Sequence, residues 1–389
     1  MKNYLLLSFL TFSLLSCEKD PPIPEQLSSE FQLNIGGAND DFGKSLLELP
    51  NGDIYAVGST QSYGAGQKDV FVIKTDTKGN IIWTKTFGGA ANDEANEIIL
   101  TTDGMLLIAG TTASFGAGGN DVYLIKLDTA GTLLWQQQFG GSADESAEDV
   151  VLTADGNFMI SGITSSFGNG LRDAYLLKVN AAGTLIWSKT YGGALDDGAI
   201  SICNADAGNM LLFGFSDNFP AVARDMIVIK INTAGDSLNS WLYGGSDYEQ
   251  AVSIEPTADG NFILSGHTAS FGHIDHNMYC LKISGIGHLL WEKNYGGDAH
   301  DGVEHGRQCN DGGYIFAGRT VSFANHFEQM YLLKTDEAGN MEWQKDIGGI
   351  YDDAAYNIVE TKDHFILVGN TKSITNGNND VFLVKIKKQ

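Results

Sequence analysis

Residues 88–139 read GGAANDEANEIILTTDGMLLIAGTTASFGAGGNDVYLIKLDTAGTLLWQQQF, a stretch of 52 residues that ends where the next Gly-Gly pair, Gly140-Gly141, begins. Short runs rich in aliphatic and aromatic residues alternate with Gly, Asp and Asn clusters, which is the pattern of strands and turns. The reading predicts a strand around Glu97 to Leu100, a second over Leu106–Thr112, a third over Asp121–Leu127 and a fourth over Leu133–Phe139. Asp103-Gly104 is a two-residue hairpin signal between the first two. Asp128-Thr129-Ala130-Gly131 turns the third into the fourth, and a longer loop, Ser114–Asn120, joins the second to the third. Four strands joined this way form one antiparallel sheet, which buries its faces only by stacking on copies of itself.

The copies are present. The first glycine of the pair recurs at Gly36, Gly88, Gly140, Gly192, Gly244, Gly296 and Gly348, always 52 residues apart, so seven units account for all of residues 26–389. An open solenoid needs polar capping units at its ends, and no such unit stands out. Instead, the last unit supplies three strands, ending with Asp380 to Ile386, while an extra strand, Phe31 to Ile35, precedes the first Gly-Gly pair. Phe31 stands five residues before Gly36, as Trp83, Trp135, Trp187, Trp291 and Trp343 stand five before their glycines. The expected fold is therefore all-β: a seven-bladed β-propeller over residues 29–389, with four-stranded antiparallel blades and a ring closed by the N-terminal strand.

The Asp-x-x-Gly-x-x-x-Trp segment (Asp76/Gly79/Trp83, Asp128/Gly131/Trp135, Asp336/Gly339/Trp343) resembles the tryptophan motif of quinoprotein-like propellers. The whole repeat is similar to those of propeller lipoproteins found in Bacteroidetes-type bacteria. That resemblance implies a fold more than an activity. Quinone-dependent dehydrogenases of this kind usually have eight blades and a vicinal Cys pair, and this chain has neither. Its Asp and Gly are also spaced unlike a sialidase Asp box, and the bulb-lectin mannose motif is missing. No motif calls for a cofactor.

The N-terminus carries one positive charge at Lys2, an apolar run from Leu5 to Leu15, then Ser16-Cys17. The run is too short for a membrane-spanning helix, which needs roughly 20 apolar residues. Residues 1–17 are read as a secretory signal, and Leu14-Leu15-Ser16-Cys17 resembles a bacterial lipobox in which Cys17 is lipidated. Residues 18–28, with Pro21, Pro22 and Pro24, read as an extended linker. The expected address is the cell envelope, at the outer membrane or cell surface, with the membrane reached through the lipid anchor. A net charge of −24 argues against nucleic acid, whose binding rests on clustered Lys and Arg. The 48 glycines against 6 prolines suit short strands and tight turns. A monomer is expected. Cys203, Cys280 and Cys309 read as buried thiols; whether two of them form a disulfide stays open.

Features shared by all units read as scaffold. A carboxylate stands five residues after each first glycine (Asp41, Asp93, Glu145, Asp197, Glu249, Asp301, Asp353) and a Lys closes each third strand (Lys74, Lys126, Lys178, Lys230, Lys282, Lys334, Lys385). Buried loop N–H groups need acceptors at every blade, which explains the acids without a ligand. The second-to-third loops share one face with the Gly-Gly connections, and there the repeats disagree. His273, Asp275, His276, His300, His305, His326 and Glu328 cluster by repeat position on units five and six, and form the candidate ligand-binding set. Imidazoles and carboxylates together suit a transition metal or proton transfer, although the spacing matches no metal motif. The leading expectation is a non-enzymatic binding scaffold for a glycan or a protein. The alternatives are a polysaccharide-processing hydrolase or metal-dependent enzyme, with Asp301 and Glu304 as its candidate acids, and an envelope-assembly role.

Overall fold

A computed structural model of the chain describes residues 29–218, 223–271, 276–323, 327–375 and 378–388. They form seven four-stranded antiparallel sheets, each built from consecutive strands except the last. Blade two shows the plan, with its inner strand at Asp93–Leu100, the second at Leu106–Thr112, the third at Asp121–Leu127 and the outer at Leu133–Phe139. Among the described residues, no helix is long and apolar enough to cross a membrane. The signal, Cys17 and the linker lie outside the described residues, as do His273, Asp275 and His326.

The ring closes as the sequence implied. Residues Ser29–Ile35 pair antiparallel with Asp380–Lys387 and complete blade seven. Phe31 faces Lys385 across that pair, as Trp83 faces Lys74 and Trp135 faces Lys126 in ordinary blades. Phe31, Leu33 and Ile35 then pack on a core drawn from blades seven and one, including Ile54, Phe71, Ile366 and Leu383. A second seam holds at the inner strands: each begins with a backbone N–H donated to the preceding blade's loop, from Asp41 to Asn379 (2.7 Å) through Asp353 to Glu328 (2.9 Å). This bond starts the inner strand of blade two at Asp93, four residues earlier than its aliphatic run suggested.

The hydrophobic core lies between blades. One cluster joins Val57 and Val72 of blade one to Ala95, Ile98 and Tyr123 of blade two. The Asp-x-x-Gly motif follows from the same packing. Asp128 Oδ1 accepts the N–H groups of Ala130 (2.9 Å) and Thr132 (2.8 Å) and so shapes the turn. Gly131, at φ +77°, lies against Trp83 of the preceding blade, where a Cβ would come within 2.9 Å of the indole. In unit four the tryptophan is two residues late, at Trp241, yet it covers Gly287 of the next blade in the same way.

One local expectation changes in detail. Asp103-Gly104 is not a two-residue turn: Gly104 N–H donates to Thr101 O (2.9 Å), closing the four-residue turn Thr101–Gly104 with glycine left-handed at φ +75°. The strand-closing lysines find partners in these turns, with Nζ–O distances from 2.6 Å (Lys282–Asp259) to 2.9 Å (Lys334–Asp311). Lys385 of blade seven instead reaches Glu30 of the closing strand at 3.6 Å. The thiols of Cys203, Cys280 and Cys309 are free and buried, and burial pushes the Cys309 thiol up to about 12.

The seven repeated acids are buried. Each accepts the N–H of the second glycine of its pair, from Gly141 to Glu145 (2.5 Å) to Gly245 to Glu249 (3.0 Å). Most also accept a Thr or Ser hydroxyl from the second strand or its loop, as Glu145 does from Thr164 (2.7 Å). The loop aromatics Tyr63, Phe115, Phe167, Phe271 and Phe323 each rest on a third-strand ring, 5.2–5.9 Å between centroids. Phe219, their counterpart in unit four, lies outside the described residues.

Candidate functional site

Every inner strand slips register at the eighth residue after its first glycine, a β-bulge repeated seven times. A bulge re-aims the side chain it carries. Here the bulged residues, Lys44, Asn96, Glu148, Ile200, Val252, Glu304 and Tyr356, all line the central channel, a cavity of about 420 Å³. The glycine opposite each bulge allows the close approach: a Cβ on Gly162 would collide with the Ser146 carbonyl oxygen. Seven identical backbone devices thus present side chains of six kinds.

The next residue along stitches adjacent blades. Asp149 Oδ2 accepts the Ser201 hydroxyl and the Ile202 N–H, both at 2.9 Å, and Ser253 Oγ accepts the Gly306 N–H at 3.1 Å. Ser45 donates to Glu97 Oε1 at 2.6 Å. Glu97 keeps some surface on the bore it lines, but protein surrounds it. Burial first and repulsion from Asp149 second push its carboxyl up to about 8; burial, with Glu255 adding to it, pushes Asp149 up to about 6. A carboxyl raised on folding binds its proton more tightly in the native state, so it costs stability as pH climbs from its unfolded value near 4.5 through 8. Glu97→Gln is therefore expected to raise the melting temperature at pH 9 and to change it little at pH 4.5. Thermal unfolding across that range checks it, and an equal effect at both ends would contradict it.

On the loop face the channel opens into a wider cavity of about 670 Å³, lined by Lys44, Asp247, Tyr248, Gln250, His267, Ala269, His276, His300, Glu304, Arg319 and Tyr356. His276 and His300 stand with ring centroids 5.7 Å apart, and His300 and His267 with theirs 6.4 Å apart. His267 is buried at the end of the second strand of blade five. Burial above all, with Arg319, His300 and His276 adding to it, lowers it to about 3, so it is a neutral imidazole at physiological pH. Burial raises the Glu304 carboxyl above its ordinary value against the pull of Arg319 and Lys44. Arg319 lies between Glu304 (3.5 Å) and Glu328 (3.7 Å). Lys44 Nζ sits 4.0 Å from the centre of the Tyr356 ring, whose phenol burial pushes up to about 12.

The candidate set from the sequence is thus divided. His276, His300 and Glu304 meet at the mouth, and Glu328 borders it through Arg319. His305 lies deeper, its Nε2 3.5 Å from Glu255 within the channel. Asp301 is buried in the blade-six latch, accepting Gly297 N–H (2.7 Å) and the Ser322 hydroxyl (2.6 Å), in the place its six equivalents occupy in their blades. It lines neither of the two cavities that Glu304 lines. Among the described residues, no three His, Cys, Asp or Glu side chains are placed to hold a metal ion.

Lys44, Tyr248, His267, Arg319 and Tyr356 were not singled out from the sequence. For all of these but Tyr248, which lies in the loop before the inner strand of blade five, a signal was available in two repeat columns that vary from unit to unit. The bulge column runs Lys44, Asn96, Glu148, Ile200, Val252, Glu304, Tyr356, and the penultimate second-strand column runs Ser59, Thr111, Ile163, Phe215, His267, Arg319. Comparing loops alone passed over both, because each lies inside a strand.

Comparison with known proteins agrees with the architecture. Residues 101–133 match a domain of unknown function, DUF5122, described as a β-propeller. The regulatory protein FlaEY of Caulobacter vibrioides is 28% identical over 144 residues, a match spanning 31% of this chain and 15% of that protein. Among solved structures, a PL25 ulvan lyase bound to -[GlcA(1-4)Rha3S]- superposes with TM-score 0.57 at 12% identity, over 91% of this chain and 96% of its own. The Neurospora crassa Pan2 WD40 domain gives 0.55 at 9% identity, over 94% and 98%. The extracellular domain of the hybrid two-component system BT3049 from B. thetaiotaomicron gives 0.50 at 10%, over 90% of this chain and 40% of that one. What these solved structures share with the chain is the β-propeller fold.

Proposed function

We propose that this protein is a saccharide-binding propeller of the bacterial cell envelope, tethered by a lipid on Cys17, with its ligand seated at the loop-face mouth of the channel. One observation carries the reading: side chains that break the seven-fold repeat in units one and five to seven, from loops and strands alike, among them Lys44, His267, His276, His300, Glu304, Arg319 and Tyr356, line a single cavity of about 670 Å³. That size falls within the roughly 300–1,000 Å³ of small-ligand pockets. Imidazoles, a guanidinium, carboxylates and tyrosines supply the donors, acceptors and flat faces that sugar hydroxyls and ring faces engage. By analogy of fold alone, a lyase propeller holding a glucuronate–rhamnose chain indicates that the architecture accommodates such a ligand.

A catalytic reading rests on a different observation. Burial raises Glu304, the state a general acid requires. With Asp301 committed to the latch, a second group would have to come from Asp247 or a neighbouring imidazole. Glycan-array binding and product analysis on residues 18–389 separate the two. Binding without turnover, weakened at least about tenfold by His276→Ala with Glu304→Gln, supports the scaffold. Product release abolished by Glu304→Gln would replace it with an enzyme, and binding indifferent to both changes would move the ligand away from the mouth. Lipid labelling of the full chain and of Cys17→Ser tests the tether.

A further inference from the structure

We infer that the saccharide taken at the channel mouth carries a carboxylate, as a uronate does, and that Arg319 of blade six receives it with Lys44 beside it. The inference rests on the saccharide reading above and adds the chemical class. It starts from the state of the cations. In a chain with 48 acidic and 24 basic side chains, a well-placed cation is expected to be claimed. Most are: Lys126 and Lys178 sit 2.7 Å from turn carboxylates, Arg172 sits 2.6 Å from Asp196, and Arg224 sits 2.8 Å from Asp217.

Arg319 is held differently. Its two carboxylate neighbours are at 3.5 and 3.7 Å, beyond the 2.7–2.9 Å of a charge-assisted hydrogen bond, and its buried Nε has no hydrogen-bond partner among the described residues. A buried donor left without an acceptor is unfavourable, and a ligand acceptor would relieve it. Lys44 likewise lies against the Tyr356 ring, with no carboxylate of the described residues at ion-pair distance. Both cations line the same cavity, and the imidazoles of His267, His276 and His300 border it as further polar contacts. A planar guanidinium receives a carboxylate through two parallel hydrogen bonds, which fixes orientation as well as charge. The mouth therefore offers a carboxylate fork flanked by groups suited to hydroxyls.

The test compares each uronate oligomer of a panel (galacturonate, glucuronate, mannuronate) with its methyl ester, by calorimetry on residues 18–389. The ester keeps the sugar and removes the charge. The expected result is binding of at least one acid form about tenfold or more tighter than its ester, a preference that Arg319→Met abolishes by weakening the acid form far more than the ester. Glu328→Gln, which frees Arg319 from one of its two neighbours, should tighten acid binding, a change that damage to the fold does not produce. Equal affinity for acid and ester in the parent protein overturns the carboxylate inference and leaves the saccharide reading standing. Binding of neutral oligomers alone does the same, and failure of every saccharide overturns both.

Discussion

Deleting residues 29–35 should cost the propeller a large part of its stability, lowering its melting temperature by about 10 °C or more. Those residues supply the outer strand of blade seven, paired along Asp380–Lys387, so their loss removes a whole ladder of backbone hydrogen bonds. Phe31, Leu33 and Ile35 also leave the core shared by blades seven and one. Burying three such side chains contributes on the order of 5 kcal/mol, against a native stability of about 5–15 kcal/mol for an ordinary domain. The third strand of blade seven would then become an exposed, apolar edge open to self-association. Circular dichroism on heating, with light scattering alongside, measures both. A deletion variant that melts with the parent and stays monomeric would mean the ring does not depend on its closing strand.

Gly162→Ala is expected to be among the most damaging of single added methyls. Gly162 sits in the second strand of blade three opposite the inner-strand bulge, and a Cβ there meets the Ser146 carbonyl oxygen, backbone that does not swing aside. Relieving the clash means undoing the bulge, which also turns Glu148 away from the channel. A loss of about 3 kcal/mol or more follows. Gly156→Ala is the control. Gly156 has φ +76° and nothing within 4 Å of where an added methyl would stand, so it should show only the left-handed backbone cost, about 1 kcal/mol. Chemical denaturation of the two variants compares them directly, and equal losses would show that the bulge tolerates a side chain.

The fold was legible because repetition turns local signals into global ones. One unit predicts four strands; seven units in fixed register, with three strands at one end and the missing one at the other, leave little choice but a ring. Asp128, Gly131 and Trp135 were readable as a motif, but their reason was not. Gly131 is needed by Trp83, 48 residues earlier and one blade away. The same limit applies to the repeated acids. Counting them suggested scaffold, and the buried hydrogen bonds from Gly-Gly backbone and Thr hydroxyls supply the cause.

The candidate site was legible only in part. His276, His300 and Glu304 were picked out from units five and six and do meet at the channel mouth, whereas Asp301, three residues from Glu304, turns into the latch. The sequence by itself determined the number of blades, their strand order and the closure through Phe31 to Ile35, because those depend on hydrophobic period and turn chemistry repeated at a fixed 52-residue interval. Tertiary structure alone decided which side chains share a cavity. A seven-fold ring points equivalent positions of distant units at one axis, and a bulge backed by glycine chooses which residue of each inner strand faces it. Lys44 is far from Glu304 and Tyr356 along the chain yet lines the mouth with them, a neighbourhood created by ring closure and by nothing local in the sequence.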